Sequence, residues 1–165
     1  MSKFKDNPLK TRFIEGLATE SLELSDLCTR SKFNFSYFDK SQNYASGFDE
    51  LENNFLCTLM EKLKSYSRFP LLHWKNQRAG SGGLKIFEIY EDFPKKSEFT
   101  RPNHVPHDIY WARFRLENFA RLIGFIVPGH LSNKPSNHLN YLHDTNTFYV
   151  VFIDLQHKFY LTEKK

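Results

Sequence analysis

Alternation of hydrophobic and polar residues recurs along much of the chain, and a period of two is typical of half-buried β-strands. It is clearest at residues 33–37 and 112–116; residues 84–90, 121–127 and 147–153 also have strand character, the last two as largely apolar runs. Turn-forming residues separate most of them. The pattern predicts an antiparallel sheet of about four to six strands, a common size for such sheets.

A second pattern, with hydrophobic residues three and four positions apart, lies between the first two strand segments. Its members are Phe48, Leu51, Phe55, Leu59, Leu63 and Tyr66. This spacing predicts an amphipathic helix over 48–68, with Ser46 as its N-cap and Pro70 as its end. Nearer the start, "TRFIEGLATESLELSDL" predicts either a helix broken at Gly16 or two short turns. The predicted fold class is α+β, a twisted antiparallel β-sheet packed against helices.

Two long segments have no regular pattern. Residues 91–109 begin "EDFPKKSEFTRPNHVPHD", which carries too many prolines for regular structure, and residues 128–146 are polar. Long ordered loops often carry function. With 165 residues, of which 40% are hydrophobic, the whole chain 1–165 is predicted to be one domain with an N-terminal extension over 1–45.

Composition narrows the class of protein. The start of the chain lacks the apolar core of a signal peptide, and no run approaches the roughly 18 apolar residues of a membrane span, so we expect a cytoplasmic protein without membrane partners. Cys28 and Cys57 are expected to be reduced thiols. The net charge of +4 is compatible with a polyanionic partner. Cationic residues and histidines gather beyond Arg101.

The sequence contains few patterns that match known catalytic motifs. "NQRAGSGG" lacks the spacing of a nucleotide-binding loop. In "HVPH", His104 and His107 could join other histidines in a metal site, for which the candidates are His130, His138 and His143. Their spacing matches no zinc signature, so we expect neither a metal nor a cofactor. The same two imidazoles could instead act as acid–base groups.

The strongest signal is arginine inside predicted strands. On a pleated strand Arg113 and Arg115 point to one side, while Phe114 and Leu116 point to the other, toward a core. Arg121 opens the following strand, close to the intervening turn. The sequence therefore predicts a cationic surface on the face of the sheet opposite the helix.

The end of the last strand adds groups that suit proton transfer. "HKFY" contains His157, Lys158 and Tyr160, which would reach the arginines if the last two strands pair antiparallel. Arginine binds phosphate bidentately, aromatic rings stack on bases, and imidazole or phenol transfers protons. Such a face suits RNA cleavage by attack of a ribose 2′-hydroxyl. The plainer alternative is a solvated face on which the arginines pair with carboxylates, namely Glu88, Glu91, Glu117 or Asp154.

In the order of its elements the chain resembles the RelE/HigB superfamily of bacterial mRNA-interferase toxins. The resemblance covers the predicted helix, "WARFRL", a tight turn, "RLIGFI" and "FYVVFIDLQHKFY", roughly half the chain. It implies a RelE-like core over 46–165 with insertions at 91–109 and 128–146, which have no counterpart in the family. It also implies that basic residues of the central strands, with a C-terminal His, Lys or Tyr, cleave mRNA on the ribosome.

Carried over to this chain, the resemblance implies a metal-independent RNA endonuclease, a toxin of a toxin–antitoxin or phage-defence system. The expected partners are RNA, mRNA on the ribosome in particular, and an antitoxin protein as a further candidate. The predicted site residues are Arg113, Arg115, Arg121, His157, Lys158, Tyr160, His104 and His107. Two alternatives stay open: a non-catalytic RNA- or protein-binding module that uses the same face, and a metal-dependent hydrolase centred on "HVPH".

Overall fold

The computed structural model describes residues 8–16, 21–132, 134–135 and 141–161, and its centre is an open, twisted five-stranded sheet. In chain order the strands of the protein are β1 (Lys32–Asn34), β2 (Arg78–Ala79), β3 (Leu84–Lys85), β4 (Phe87–Glu91), β5 (Tyr110–Arg115), β6 (Arg121–Ile126) and β7 (Thr147–Asp154). Across the sheet the order is β1-β7-β6-β5-β4, and β2 pairs with β3 in a separate hairpin.

The predicted α+β class with a twisted sheet and helices is confirmed, but the sheet is mixed because β1 runs parallel to β7. The other neighbours within the large sheet pair antiparallel. The strand predicted over 33–37 is cut short after Asn34, whose side-chain oxygen accepts a hydrogen bond from the Ser36 backbone N–H at 2.9 Å. This turn takes the chain out of the sheet. The sheet thus includes residues from the stretch predicted as an extension.

The described helices are α1 (Pro8–Glu15), α2 (Asn53–Tyr66) and α3 (Leu71–Asn76). The helix predicted over 48–68 begins later than expected, because the Glu50 carboxylate accepts the Gly47 N–H and closes a separate 3-10 turn over Phe48–Glu50. Ser46 is not an N-cap, since its N–H bonds to the Ile153 carbonyl of β7. The sequence did not predict α3, which is too short to show a period.

The face of the sheet that carries α2 and α3 holds the first apolar cluster. Leu59, Leu63 and Tyr66 of α2 are buried against it, as their spacing predicted. The Tyr66 ring stacks on Phe114 with centroids 4.6 Å apart, and its hydroxyl donates to the Arg115 carbonyl of β5. The predicted direction of Phe114, toward the core and away from the arginines, is confirmed.

A second apolar cluster covers most of the opposite face. It is built from Trp111, Ile123, Phe125, Val151 and Phe152 of the sheet together with Ala45, Phe99, Val105 and Phe159 of the loops. The backbone N–H of Glu98 bonds to the Lys158 carbonyl at 3.0 Å, so the long segment 92–109 is held against the C-terminal segment. One face of the sheet is therefore covered by helices and most of the other by loops. The arginines lie at one end of the face that the loops cover.

Candidate functional site

Strand pairing brings the three arginines together at one end of β5 and β6. Arg113 and Arg115 alternate with core residues along β5, and Arg115 is the direct partner of Arg121 across the hairpin. Glu88 of β4 stands opposite Arg113. Arg113 and Arg121 are only 7% and 4% exposed, which is unusual for arginine. The sequence predicted this shared face but not its burial.

Arg113 is held by partners on β4 and the preceding hairpin. Its Nη2 contacts the Glu88 carboxylate at 2.8 Å, Nε donates to the Tyr90 hydroxyl at 3.0 Å, and Nη1 donates to the Lys85 carbonyl at 3.2 Å. Glu88 also pairs with the Lys85 ammonium at 2.6 Å. Every nitrogen of the Arg113 guanidinium thus has a partner within the protein.

Within the part of the chain that the structure describes, the hydrogen bonds of Arg115 and Arg121 go only to backbone carbonyls of the turn between their strands. The Asn118 carbonyl accepts Nη1 of Arg115 at 3.2 Å and Nη1 of Arg121 at 2.9 Å, and the Ala120 carbonyl accepts Arg121 Nη1 at 2.8 Å. The Nε atoms of both arginines are buried without a hydrogen-bond partner. Among the described residues, neither guanidinium forms an ion pair.

Asp154, at the end of β7, shapes the loop that carries His157. One carboxylate oxygen accepts the Gln156 N–H at 3.0 Å and the other accepts the Phe159 N–H at 2.8 Å. His157 itself has a positive φ of 59°. Because Asp154 is the β7 partner of Arg121, this loop begins directly beside the arginines.

Burial and mutual repulsion change the protonation of these groups. Burial, followed by the charges of Arg115 and Arg113, lowers the pKa of Arg121 to about 10. Burial and then the neighbouring Arg121 lower the pKa of His157 below its usual 6.5. The guanidinium groups therefore stay charged at neutral pH, whereas the imidazole is uncharged and free to accept a proton.

Tyr160 and Lys158, two further predicted site residues, lie in different surroundings. The Tyr160 ring stacks on Tyr90 with centroids 5.0 Å apart and an interplanar angle of 5°, which places it beside Arg113. Lys158 Nζ lies over the Tyr44 ring, 5.5 Å from its centroid. Tyr160 is thus placed beside Arg113, while the Lys158 ammonium is directed to another aromatic residue.

His104 and His107 are placed at the other end of the face. The His104 ring stacks on Tyr37, and Tyr37 packs against Phe125 with centroids 5.0 Å apart. Phe125 is four residues from Arg121 along β6, or about 13 Å at the rise of a strand. His104 therefore does not reach the arginines, and His107 lies in the same loop, lining a cleft with it.

The described part of the chain gathers no three His, Cys, Asp or Glu side chains that could hold a metal ion. His138, one of the predicted candidates, lies outside the described residues. Nor does any described helix have the length and apolar character needed to cross a membrane.

Comparisons with known proteins add no assignment. Neither protein-family models, nor curated proteins, nor solved structures match this chain.

Glu88, Tyr90 and Asp154 complete the site. From the sequence, Glu88 and Asp154 are identified only as carboxylates that would neutralise the arginines, and Tyr90 is not identified. The signal was available for β4, because Glu88 and Tyr90 alternate with the buried Phe87 and so share one face. For Asp154, nothing in the sequence indicates that its carboxylate bonds to backbone N–H groups.

Proposed function

We propose that the protein is an RNA endonuclease of the RelE/HigB type, with a RelE-like core formed by α2, β5, β6 and β7. The observation that carries this proposal is the pairing of Arg121 with Asp154, because the Asp154 carboxylate fixes the loop that holds His157 beside the arginines. Cleavage of RNA through its own 2′-hydroxyl requires a base that accepts the hydroxyl proton and positive groups that stabilise charge on the phosphate. An imidazole beside several guanidinium groups provides both.

In the proposed reaction, His157 takes the proton of a ribose 2′-hydroxyl, and the oxygen attacks the adjacent phosphorus. The bond from phosphorus to the 5′-oxygen breaks, giving a 2′,3′-cyclic phosphate. The departing oxygen takes up a proton, for which Tyr160 is the proposed acid. Arg115 and Arg121 stabilise the negative charge that builds up on the phosphate oxygens. No metal is required for these steps.

The order of elements supports the family assignment. A helix, a strand carrying two arginines, a tight turn, a strand that opens on arginine and a last strand ending near His157 occur in this order, with α3 and β2 to β4 between the helix and the first of these strands. Under this proposal the target is cytoplasmic mRNA, on the ribosome in the family's manner. An antitoxin protein that covers the arginines is the candidate partner.

The rival proposal is a binding module without catalysis that uses the same face, since binding requires only the positive charges and not His157 or Tyr160. Because Arg113 and Arg121 are 7% and 4% exposed, a long polyanion would contact mainly the half-buried Arg115 in either case. Binding and cleavage must therefore be measured separately.

The test is cleavage of RNA by the purified protein and, in parallel, mapping of mRNA 5′ ends after induced expression in bacteria. We expect the wild type to cleave and to arrest growth. His157→Gln should reduce cleavage by roughly 100-fold or more, the typical contribution of a general base, while RNA binding is retained.

Arg68→Gln is the matched control for loss of an arginine, because Arg68 is exposed at the end of α2. It should cleave as the wild type does. Intact RNA with normal growth in the wild type would reject the endonuclease and leave the binding module. Full cleavage by His157→Gln would remove His157 from the mechanism.

A further inference from the structure

The three arginines of the site are not equivalent. Arg113 has a carboxylate, a hydroxyl and a carbonyl as partners, whereas Arg115 and Arg121 share the carbonyl of Asn118. Two like charges placed directly opposite each other on neighbouring strands are destabilising. Their Nε donors are also buried without acceptors, which is rare for charged groups. An oxyanion bound to the two guanidinium groups would offset the repulsion between them.

The charges around the site specify which oxyanion fits. Lys85 and Arg113 share the single carboxylate of Glu88. Among the described residues, the carboxylate that acts on Arg121 is Asp154, whose oxygens are already engaged by two backbone N–H groups, and the one that acts on Arg115 is the shared Glu88. Four cationic side chains thus meet two carboxylates, which leaves an excess of two positive charges.

We propose that Arg115 and Arg121 form a binding site for a phosphate monoester dianion and that Arg113 holds the sheet around the site rather than binding the phosphate. A phosphate monoester carries close to two negative charges at neutral pH, since its second pKa is near 6. It would neutralise the excess, whereas a diester with one charge would neutralise only half of it.

This inference deepens the proposed function, on which it rests for the source of the phosphate in RNA. When the 2′-oxygen attacks, a phosphodiester with one negative charge becomes a pentacoordinate phosphorane with two. The charge excess of the site is therefore better matched to the transition state than to the substrate, as catalysis requires. If water then opens the cyclic product, the resulting 3′-phosphate is a monoester dianion that the site would retain.

The test uses two ligands that differ by one methyl group, methyl phosphate and dimethyl phosphate, titrated into the full chain at pH 7.5 and constant ionic strength. Calorimetry should show methyl phosphate binding at least roughly tenfold more tightly, because its second negative charge neutralises the remaining positive charge of the site. Equal affinity for the two ligands, or no binding of methyl phosphate, would overturn the proposal.

Substitution of each arginine tests whether the bound phosphate contacts Arg115 and Arg121. Arg115→Gln and Arg121→Gln should each weaken methyl phosphate binding by roughly tenfold or more and reduce the preference over dimethyl phosphate. Arg78→Gln, in the separate β2–β3 hairpin, should bind as the wild type does. If the buried Arg121 cannot be replaced without unfolding, Arg115→Gln decides alone, because Arg115 is only half-buried. Unchanged binding in folded Arg115→Gln would contradict the assignment.

NMR of His157 gives a readout that does not depend on activity. Methyl phosphate should raise the pKa of His157, because a bound dianion offsets the nearby arginines, and it should leave the ring resonances of His73 in α3 unchanged. If the protein binds methyl phosphate but does not cleave RNA, the phosphate site is supported and the endonuclease is rejected. If it cleaves RNA without preferring methyl phosphate over dimethyl phosphate, the endonuclease is supported and the monoester site is rejected.

Discussion

At the scale of single residues, the site depends on how buried charges are distributed. Asp154 is fully buried, yet it does not neutralise Arg121 directly, because its oxygens hold the Gln156 and Phe159 N–H groups. The cost of burying that carboxylate is offset by these two hydrogen bonds, which fix the loop in which His157 has a positive φ. Burial lowers the pKa of the His157 imidazole, and the positive charge that Arg121 retains lowers it further.

The pH dependence of cleavage follows from this arrangement. A base must be unprotonated, so the rate should fall on acidification only as His157 takes up a proton, with a midpoint below 6.5. Arg121→Gln removes one of the charges that lower this pKa, so the midpoint of its residual activity should move upward. Rates measured from pH 4.5 to 8 on one RNA would show both effects.

His157→Gln is the control for this profile, since its residual activity should lack the acid limb. A wild-type midpoint clearly above 6.5 would contradict the lowered pKa. The same midpoint in Arg121→Gln would show that Arg121 does not act on His157.

At the scale of secondary-structure elements, β6 is the strand on which the sheet depends, because all of its residues are buried and it pairs on both sides. A register shift in its pairing with β7 occurs between Ile123 and Gly124. At Gly124 the chains approach so closely that a Cβ atom would lie 2.1 Å from the Tyr149 carbonyl oxygen. Neither backbone can move without disturbing the ladder.

Gly124→Ala should therefore lower the free energy of unfolding by about 1–3 kcal/mol or more, the usual cost of overpacking. Gly129→Ala is the matched control, because a Cβ atom there meets nothing within 4 Å. Urea denaturation of both variants would measure the difference. Equal stability of the two would mean that the close approach at Gly124 does not constrain the sheet.

At the scale of the whole molecule, segment 92–109 belongs to the core although its sequence reads as a loop. Phe99 is 3% exposed and packs on Phe152 and Phe159, with ring centroids 4.7 and 5.9 Å apart. Gln42 and Thr100 exchange two hydrogen bonds of 2.8 Å, which bind the segment to the chain after β1. We therefore expect the segment to unfold together with the sheet and not as a separate lid.

Phe99→Ala should lower the free energy of unfolding by about 3–5 kcal/mol, as expected for a phenylalanine removed from a core. Phe13→Ala, at a position that is 69% exposed, should change it by less than about 0.5 kcal/mol. Thermal denaturation of both variants is sufficient. An unchanged melting temperature for Phe99→Ala would show that the segment is not part of the cooperative core.

The elements that the sequence predicted best are those with a clear local period. Leu59, Leu63 and Tyr66 of α2 face the sheet because a helix brings residues three and four apart to one side. Arg113 and Arg115 share a face because a strand alternates its side chains. The tight turn over residues 117–120 lies between β5 and β6 as expected. These features depend only on backbone geometry, which neighbouring residues determine.

What only the tertiary structure decided depends on contacts between residues far apart in the chain. The parallel pairing of β1 with β7, the second apolar cluster around Phe99 and the separation of His104 from the arginines all belong to this class. So does the difference between Arg113, which has a carboxylate, and Arg115, which has none. The sequence by itself determined which side chains could share a face; burial and long-range pairing determined which of them kept an unbalanced charge.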